Sequence, residues 1–199
     1  MSSRSPKTFG RRALLLSAAV GAFFLGAQRA RAEDVAVPVS LQAELIAKVA
    51  AYDKNLAGRA GDRVRILVLQ KPESADSVRV ASQMQKALSQ TLDIAGLPLE
   101  TLVLAFSTVD DLVSSIRTKH ASIVYITPGF DGDIAAIAKN LSGASVLTVS
   151  AVASYVPKRA VLGFDLVSGK PKLVVNLTQA RLQSVAFKPD VLKLMKVYE

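Results

Sequence analysis

The sequence predicts an α/β domain: a mostly parallel sheet flanked by helices on both faces, with a C-terminal antiparallel hairpin at its edge. Three observations predict it. Residues 64–69, Val-Arg-Ile-Leu-Val-Leu, form a short β-branched apolar run between Gly61-Asp62 and Lys71-Pro72, as a strand buried on both faces requires. Three similar runs follow at 100–106, 122–127 and 145–150. A helix-length segment separates each from the next, which is the pattern of parallel strands joined by crossover helices.

The elements follow in order. Ser40 is placed to cap a helix whose apolar face is Leu41, Leu45, Val49, Tyr52 and Leu56, with Ile46 beside them. Residues 58–62 end it. After the first strand, 72–77 reads as a polar turn. Val80, Met84, Ala87, Leu88 and Leu92 mark the inner face of the next helix, which Gly96-Leu97-Pro98 breaks. Thr108 and Asp111 have capping-box spacing for a helix through Thr118. Pro128-Gly129 closes the third strand. Asp131 and Asp133 place negative charge at the start of a helix that ends near Gly143. The strands 160–167 and 172–177, joined by Ser168-Gly169-Lys170-Pro171, form the hairpin. Asn176 or Thr178 caps a short helix through Ser184, and Pro189 opens a last one through Lys196.

Charge and composition narrow the function. Half of the 199 residues are hydrophobic, enough for a sizeable core, and there is no cysteine. Disulfides, thiol catalysis and thiolate metal sites are therefore excluded. The net charge of +9 comes largely from the first 32 residues, which hold six basic and no acidic side chains. The remainder carries 19 basic against 16 acidic residues, so the isoelectric point is no argument for nucleic-acid binding.

Residues 1–32 read as a cleaved signal peptide. Arg11-Arg12 precede an apolar run over 13–26, and Ala30-Arg31-Ala32 supplies small residues for cleavage after Ala32. At ~1.5 Å per residue the run falls short of a ~30 Å bilayer core, so no retained anchor is expected. Arg11-Arg12-Ala13-Leu14-Leu15 resembles a twin-arginine signal, but Gly10 stands where Ser or Thr is usual, and the general secretory route remains open. Either route delivers the single domain of residues 33–199 to a periplasm.

Chemistry-bearing residues are sparse. His120 is the one histidine and reads as part of a solvated helix end. Asp131-Gly132-Asp133 lacks the later oxygen ligands of a calcium loop, since Ala135, Ile137 and Lys139 occupy those positions. Ser168-Gly169-Lys170 joins two strands, where a phosphate loop would join a strand to a helix. No nucleophile elbow or dinucleotide loop is present. No catalytic residue, metal or cofactor is expected. A crevice beyond the carboxyl ends of the parallel strands offers a ligand site, with Gln70, Ser107, Thr108, Thr127, Gly129, Phe130 and Ser150 as its candidate residues. The same residues serve equally as caps and turns.

Leu162-Gly163-Phe164, the hairpin, Val175-Asn176-Leu177-x-x-Ala180-Arg181 and Leu192-Lys193-Leu194 resemble, in order and spacing, the C-terminal signature of the YfiR-like (YfiR/HmsC) family. The segment 146–150 resembles its fourth-strand motif, and the likeness runs from about Leu41 to Lys196. Gly163, Asn176, Ala180 and Arg181 are the matched motif residues. Gly163 suits close backbone approach, Asn176 a helix cap and Ala180 close helix packing. The chain departs from the family where aromatic residues are usual in the first helix, having Glu44, Ala47, Ala51 and Asn55, and where Ala151 replaces an acid. The resemblance implies a non-enzymatic periplasmic regulator. Its partner would be a membrane-anchored sensor or diguanylate cyclase, which it represses, and it would form a homodimer. A periplasmic small-ligand-binding protein that serves a membrane receptor or transporter is the rival expectation.

Overall fold

In the computed structural model, residues 35–199 are described. The export segment and its cleavage residues Ala30 and Ala32 lie outside them. The helices are α1 (Val39–Ala50), α2 (Leu56–Ala60), α3 (Ala75–Leu88), α4 (Val109–Thr118), α5 (Ile134–Asn140), α6 (Leu177–Leu182) and α7 (Pro189–Leu192). The strands are β1 (Val64–Gln70), β2 (Asp93–Ile94), β3 (Leu97–Ala105), β4 (Ile123–Ile126), β5 (Leu147–Ser150), β6 (Leu162–Val167), β7 (Lys170–Asn176) and β8 (Lys196–Tyr198). They form one sheet in the order β2-β3-β1-β4-β5-β6-β7-β8.

The centre of the sheet is parallel. β1 lies between β3 and β4, and β5 and β6 extend the parallel run. Its residues explain its place: Ile66, Leu67, Val68 and Leu69 are all fully buried, as a strand covered on both faces must be. Helix α1 packs on α3, and α4 on α5, so that helices cover both faces. The β6–β7 hairpin is antiparallel. Gly163 is needed within it, because a Cβ there would stand 2.6 Å from Val156 Cγ2.

Several local expectations are corrected. Ser40 does not cap α1, which starts at Val39 after Pro38. The inner face of α1 is Val39, Gln42, Ala43, Ile46, Val49 and Ala50, so Leu41 and Leu45 are only partly buried and Tyr52 is exposed. Gln42 turns inward because it has partners there: Nε2 donates to Val37 O at 2.9 Å, and Oε1 accepts from the buried Tyr125 hydroxyl at 2.8 Å. The helix stops before Leu56, which begins α2 instead. The turn after β1 is shorter than expected, since Ser74 caps α3 through Ser77 N–H. Leu92 is 84 % exposed, because α3 ends at Leu88 and the chain reverses through a β2–β3 hairpin. The last helix ends at Leu192, and β8 then adds a parallel edge strand beside β7. Asp133 makes no cap bond on α5; its carboxylate goes to Lys71.

Candidate functional site

The order of the parallel strands reverses between β1 and β4, since α3 leads from β1 to β3 on one side and the later connections run to the other. This is the switch point where the fold class ordinarily leaves a ligand crevice. Here the chain fills it. Lys71 N–H donates to Ser77 Oγ at 2.8 Å, Ser77 Oγ meets Thr127 Oγ1 at 2.5 Å, and Thr127 Oγ1 donates to Leu69 O at 2.7 Å. Ser77 and Thr127 are fully buried, so this relay satisfies polar groups that would otherwise be costly. Above it, Lys71 Nζ bonds Gly129 O at 3.1 Å and Asp133 Oδ2 at 2.7 Å, and stands 5.5 Å from the centre of the Phe130 ring. Gly129 has φ +96°, and its missing side chain leaves room for Ser74.

The sequence-predicted site residues are thus partly gathered. Thr127, Gly129 and Phe130 share the loop after β4. Gln70 ends β1 and accepts Phe106 N–H through its carbonyl at 2.7 Å. Phe130 is fully buried, edge-on to Phe106, with its N–H donating to Tyr155 Oη at 2.8 Å. Ser107 and Thr108 are exposed and turn to the start of α4. Ser107 Oγ donates to Asp111 Oδ2 at 2.6 Å, and Thr108 Oγ1 accepts Asp111 N–H at 3.1 Å. The hydroxyls of Ser107 first and Thr108 second hold the Asp111 carboxyl below its usual range. Ser150 is buried, and its hydroxyl closes a turn with Val152 on both N–H and C=O. Among the motif residues, Asn176 Oδ1 accepts Gln179 N–H at 2.8 Å, Ala180 is buried and Arg181 is exposed.

A second feature lies at the opposite, amino ends of the strands. A cleft of about 760 Å3 is lined by Lys54, Arg59, Ile116, Arg117, His120 and Ser184, among others. At its wall a buried ion pair joins Asp53 to Arg59. Asp53 Oδ1 also accepts from Asn55 N–H and Ala186 N–H, which ties the end of α1 to the segment before α7. Burial lowers the Arg59 pKa to about 10, which leaves it a cation at neutral pH. Sequence reading missed this pair, because its members are six residues apart in a short loop and helix with no motif around them. Among the described residues no group of His, Asp or Glu could hold a metal, and no helix is long and apolar enough to cross a membrane.

Fold and geometry define the class: a doubly wound α/β domain with a self-filled switch point. The solved structures that resemble it are consistent with that class. A conserved domain protein from Vibrio cholerae matches with TM-score 0.57 at 18 % identity over 81 % of this chain and 60 % of its own. A Streptococcus pneumoniae ABC domain in complex with L-Trp matches with TM-score 0.56 at 13 % identity over 81 % of this chain and 62 % of its own. The ligand-free, open form of a Clostridium difficile substrate-binding protein with adhesive properties matches with TM-score 0.54 at 12 % identity, over 73 % and 58 %. The chain therefore spans about three-fifths of these proteins, and at such identity the likeness shows the fold alone. No curated protein sequence matches. The YfiR/HmsC-like family model matches residues 40–196, and the chain belongs to that family of periplasmic regulatory proteins.

Proposed function

We propose that this protein is a non-enzymatic periplasmic regulator that binds the periplasmic part of a membrane-anchored signalling protein, such as a diguanylate cyclase, represses it, and acts as a homodimer. Family membership over residues 40–196 carries this reading. The filled switch point supports it, because side chains there are bonded to one another. Repression then works through surface contacts, with export by the cleaved segment of residues 1–32. Affinity capture from solubilised membranes with the periplasmic protein tests it. Recovery of a membrane sensor or cyclase, whose activity falls on adding the protein, is the expected result. Capture of soluble proteins only, with no effect on any cyclase, sinks the reading.

The fold of the substrate-binding neighbours favours a second reading, in which a small ligand enters at Gln70, Ser107, Thr108, Thr127, Gly129, Phe130 and Ser150. It requires the Lys71–Asp133 pair to part. A thermal-shift screen decides between the two: a ligand at ~100 times its dissociation constant adds ~2.7 kcal/mol. A hit abolished by Thr127→Val or Gly129→Ala selects the ligand reading, and a flat screen selects the regulator.

A further inference from the structure

The sheet guards one of its lateral edges and leaves the other open. At the guarded edge the outermost strand is β8, three residues long and beginning with Lys196, which covers Val174, Val175 and Asn176 of β7; so short an edge strand offers little to pair with. The uncovered start of β7 is Lys170-Pro171-Lys172, and lysine and proline on an edge oppose the addition of another strand. At the open edge, β2 pairs with β3 only at Pro98 and Leu97. From residue 101 to 105 the outer side of β3 has no backbone partner among the described residues. That stretch is Thr-Leu-Val-Leu-Ala, with no lysine, proline or other charge.

Two backbone hydrogen bonds fix which groups face outward. Phe106 N–H points inward to Gln70 O, and Leu99 N–H points outward to Leu92 O. Strand groups alternate with period two, so Thr101, Val103 and Ala105 turn their N–H and C=O groups away from β1. The side chains are unusually apolar for an edge: Val103 is 40 % exposed, and Leu102, Leu104 and Phe106 are only half-buried. β2 blocks the edge before residue 99, and the chain leaves the sheet after Ala105. What remains is a window of five residues centred on Val103.

We propose that this window is a dimer interface, in which residues 101–105 pair antiparallel with the same residues of a second copy about a two-fold axis at Val103. The occupant follows from complementarity. In this register Val103 faces its own copy, and Thr101 faces Ala105. Each of these opposed pairs exchanges two bonds, about six in all. Leu102 lies against Leu104 of the second copy, which covers the half-buried leucines on the other face. No charge meets its like: Glu100, the nearest, faces Phe106, and its carboxylate is already held by Arg65 Nε at 3.1 Å. The strand also ends where the β2 hairpin of the other copy begins, so a two-fold arrangement fits the window without collision. The two sheets become one.

This interface rests on the homodimer proposed above, and its test does not depend on the identity of the regulated partner. The full chain is expressed, and the processed protein is purified from periplasm. Sedimentation is followed over ~1–100 μM, since self-association depends on protomer concentration. The unmodified protein is expected to be a dimer. Val103→Lys and the double variant Thr101→Lys/Ala105→Lys place like charges opposite one another and should raise the dimer dissociation constant at least roughly tenfold. Thr101→Lys/Ala105→Glu places opposite charges across the axis and should stay dimeric. All of these positions are exposed or half-buried on an edge, and circular dichroism verifies folding of each variant. An unmodified protein that stays monomeric overturns the dimer and the surface together, leaving the membrane-partner reading intact. Dimers that persist in both lysine variants overturn the surface alone. A Thr101→Lys/Ala105→Glu protein as monomeric as its all-lysine counterpart overturns the register about Val103.

Discussion

The two ends of the parallel sheet solve the same problem differently. At the carboxyl ends, polar groups are satisfied by neutral hydroxyls in series, from Lys71 N–H through Ser77 and Thr127 to Leu69 O. The charged contact above that series, Lys71 with Asp133, keeps 24 % and 34 % of its side chains in solvent. At the amino ends, the ion pair of Asp53 with Arg59 is sunk to 0 % and 2 % side-chain exposure beside an open cleft, whereas Arg65 with Glu100 stays partly in solvent. Burying a charge is far more expensive than burying a hydroxyl unless a partner is fixed in place. The carboxyl end is therefore a distributed network, and the amino end depends on one joint.

Breaking that joint is expected to have the largest effect. Asp53→Ala strands the Arg59 guanidinium and leaves Ala186 N–H and Asn55 N–H without their acceptor. A loss of about 3–5 kcal/mol in urea unfolding is expected. Asp53→Ala combined with Arg59→Met removes the orphaned charge and should recover much of it. A double variant as unstable as the single one would mean that the backbone bonds of Asp53, and not the charge, carry the effect. Next comes Thr127→Val at the other end. It keeps the shape but takes the acceptor from Ser77 Oγ and the donor from Leu69 O, both buried. About 1–3 kcal/mol is expected. A loss as large as that at Asp53 would abolish the contrast between the two ends.

The sequence made one of these ends readable and hid the other. Strands 64–69 and 122–127 are apolar runs between turn residues, so the parallel centre and its polar strand ends could be placed from pattern alone. Thr108 and Asp111 stand three residues apart with a function that spacing encodes, and the structure pairs them as such. Asn176 is legible for the same reason. Asp53 and Arg59 are not, because their meaning comes from Ala186 and Ser184, more than a hundred residues away. The inner face of α1 is hidden for the same reason: Gln42 looks solvent-facing until Tyr125 supplies its partner. Thr127 was legible as a strand-end polar residue, while its bond to Ser77 depends on how α3 returns over the sheet.

Two smaller effects sharpen the comparison. Lys71→Met removes a half-exposed pair whose energy solvent screens, and should change stability by about 1 kcal/mol or less. A larger loss would mean that the switch point is sealed by charge and not by the hydroxyl series beneath it. The last effect is a pH dependence at Asp111, whose carboxyl the Ser107 and Thr108 hydroxyls hold below its unfolded value. A depressed folded pKa makes a contribution that is complete above the unfolded pKa and disappears as pH falls through the folded one. Melting temperatures followed from neutral pH into the acid range should therefore drop slightly less in Asp111→Asn than in the unmodified protein. At neutral pH the asparagine variant should be only marginally less stable, because its side chain keeps an oxygen for Ser107. An identical acid slope in both would mean that the hydroxyls of Ser107 and Thr108 add nothing to folding that protonation of Asp111 removes.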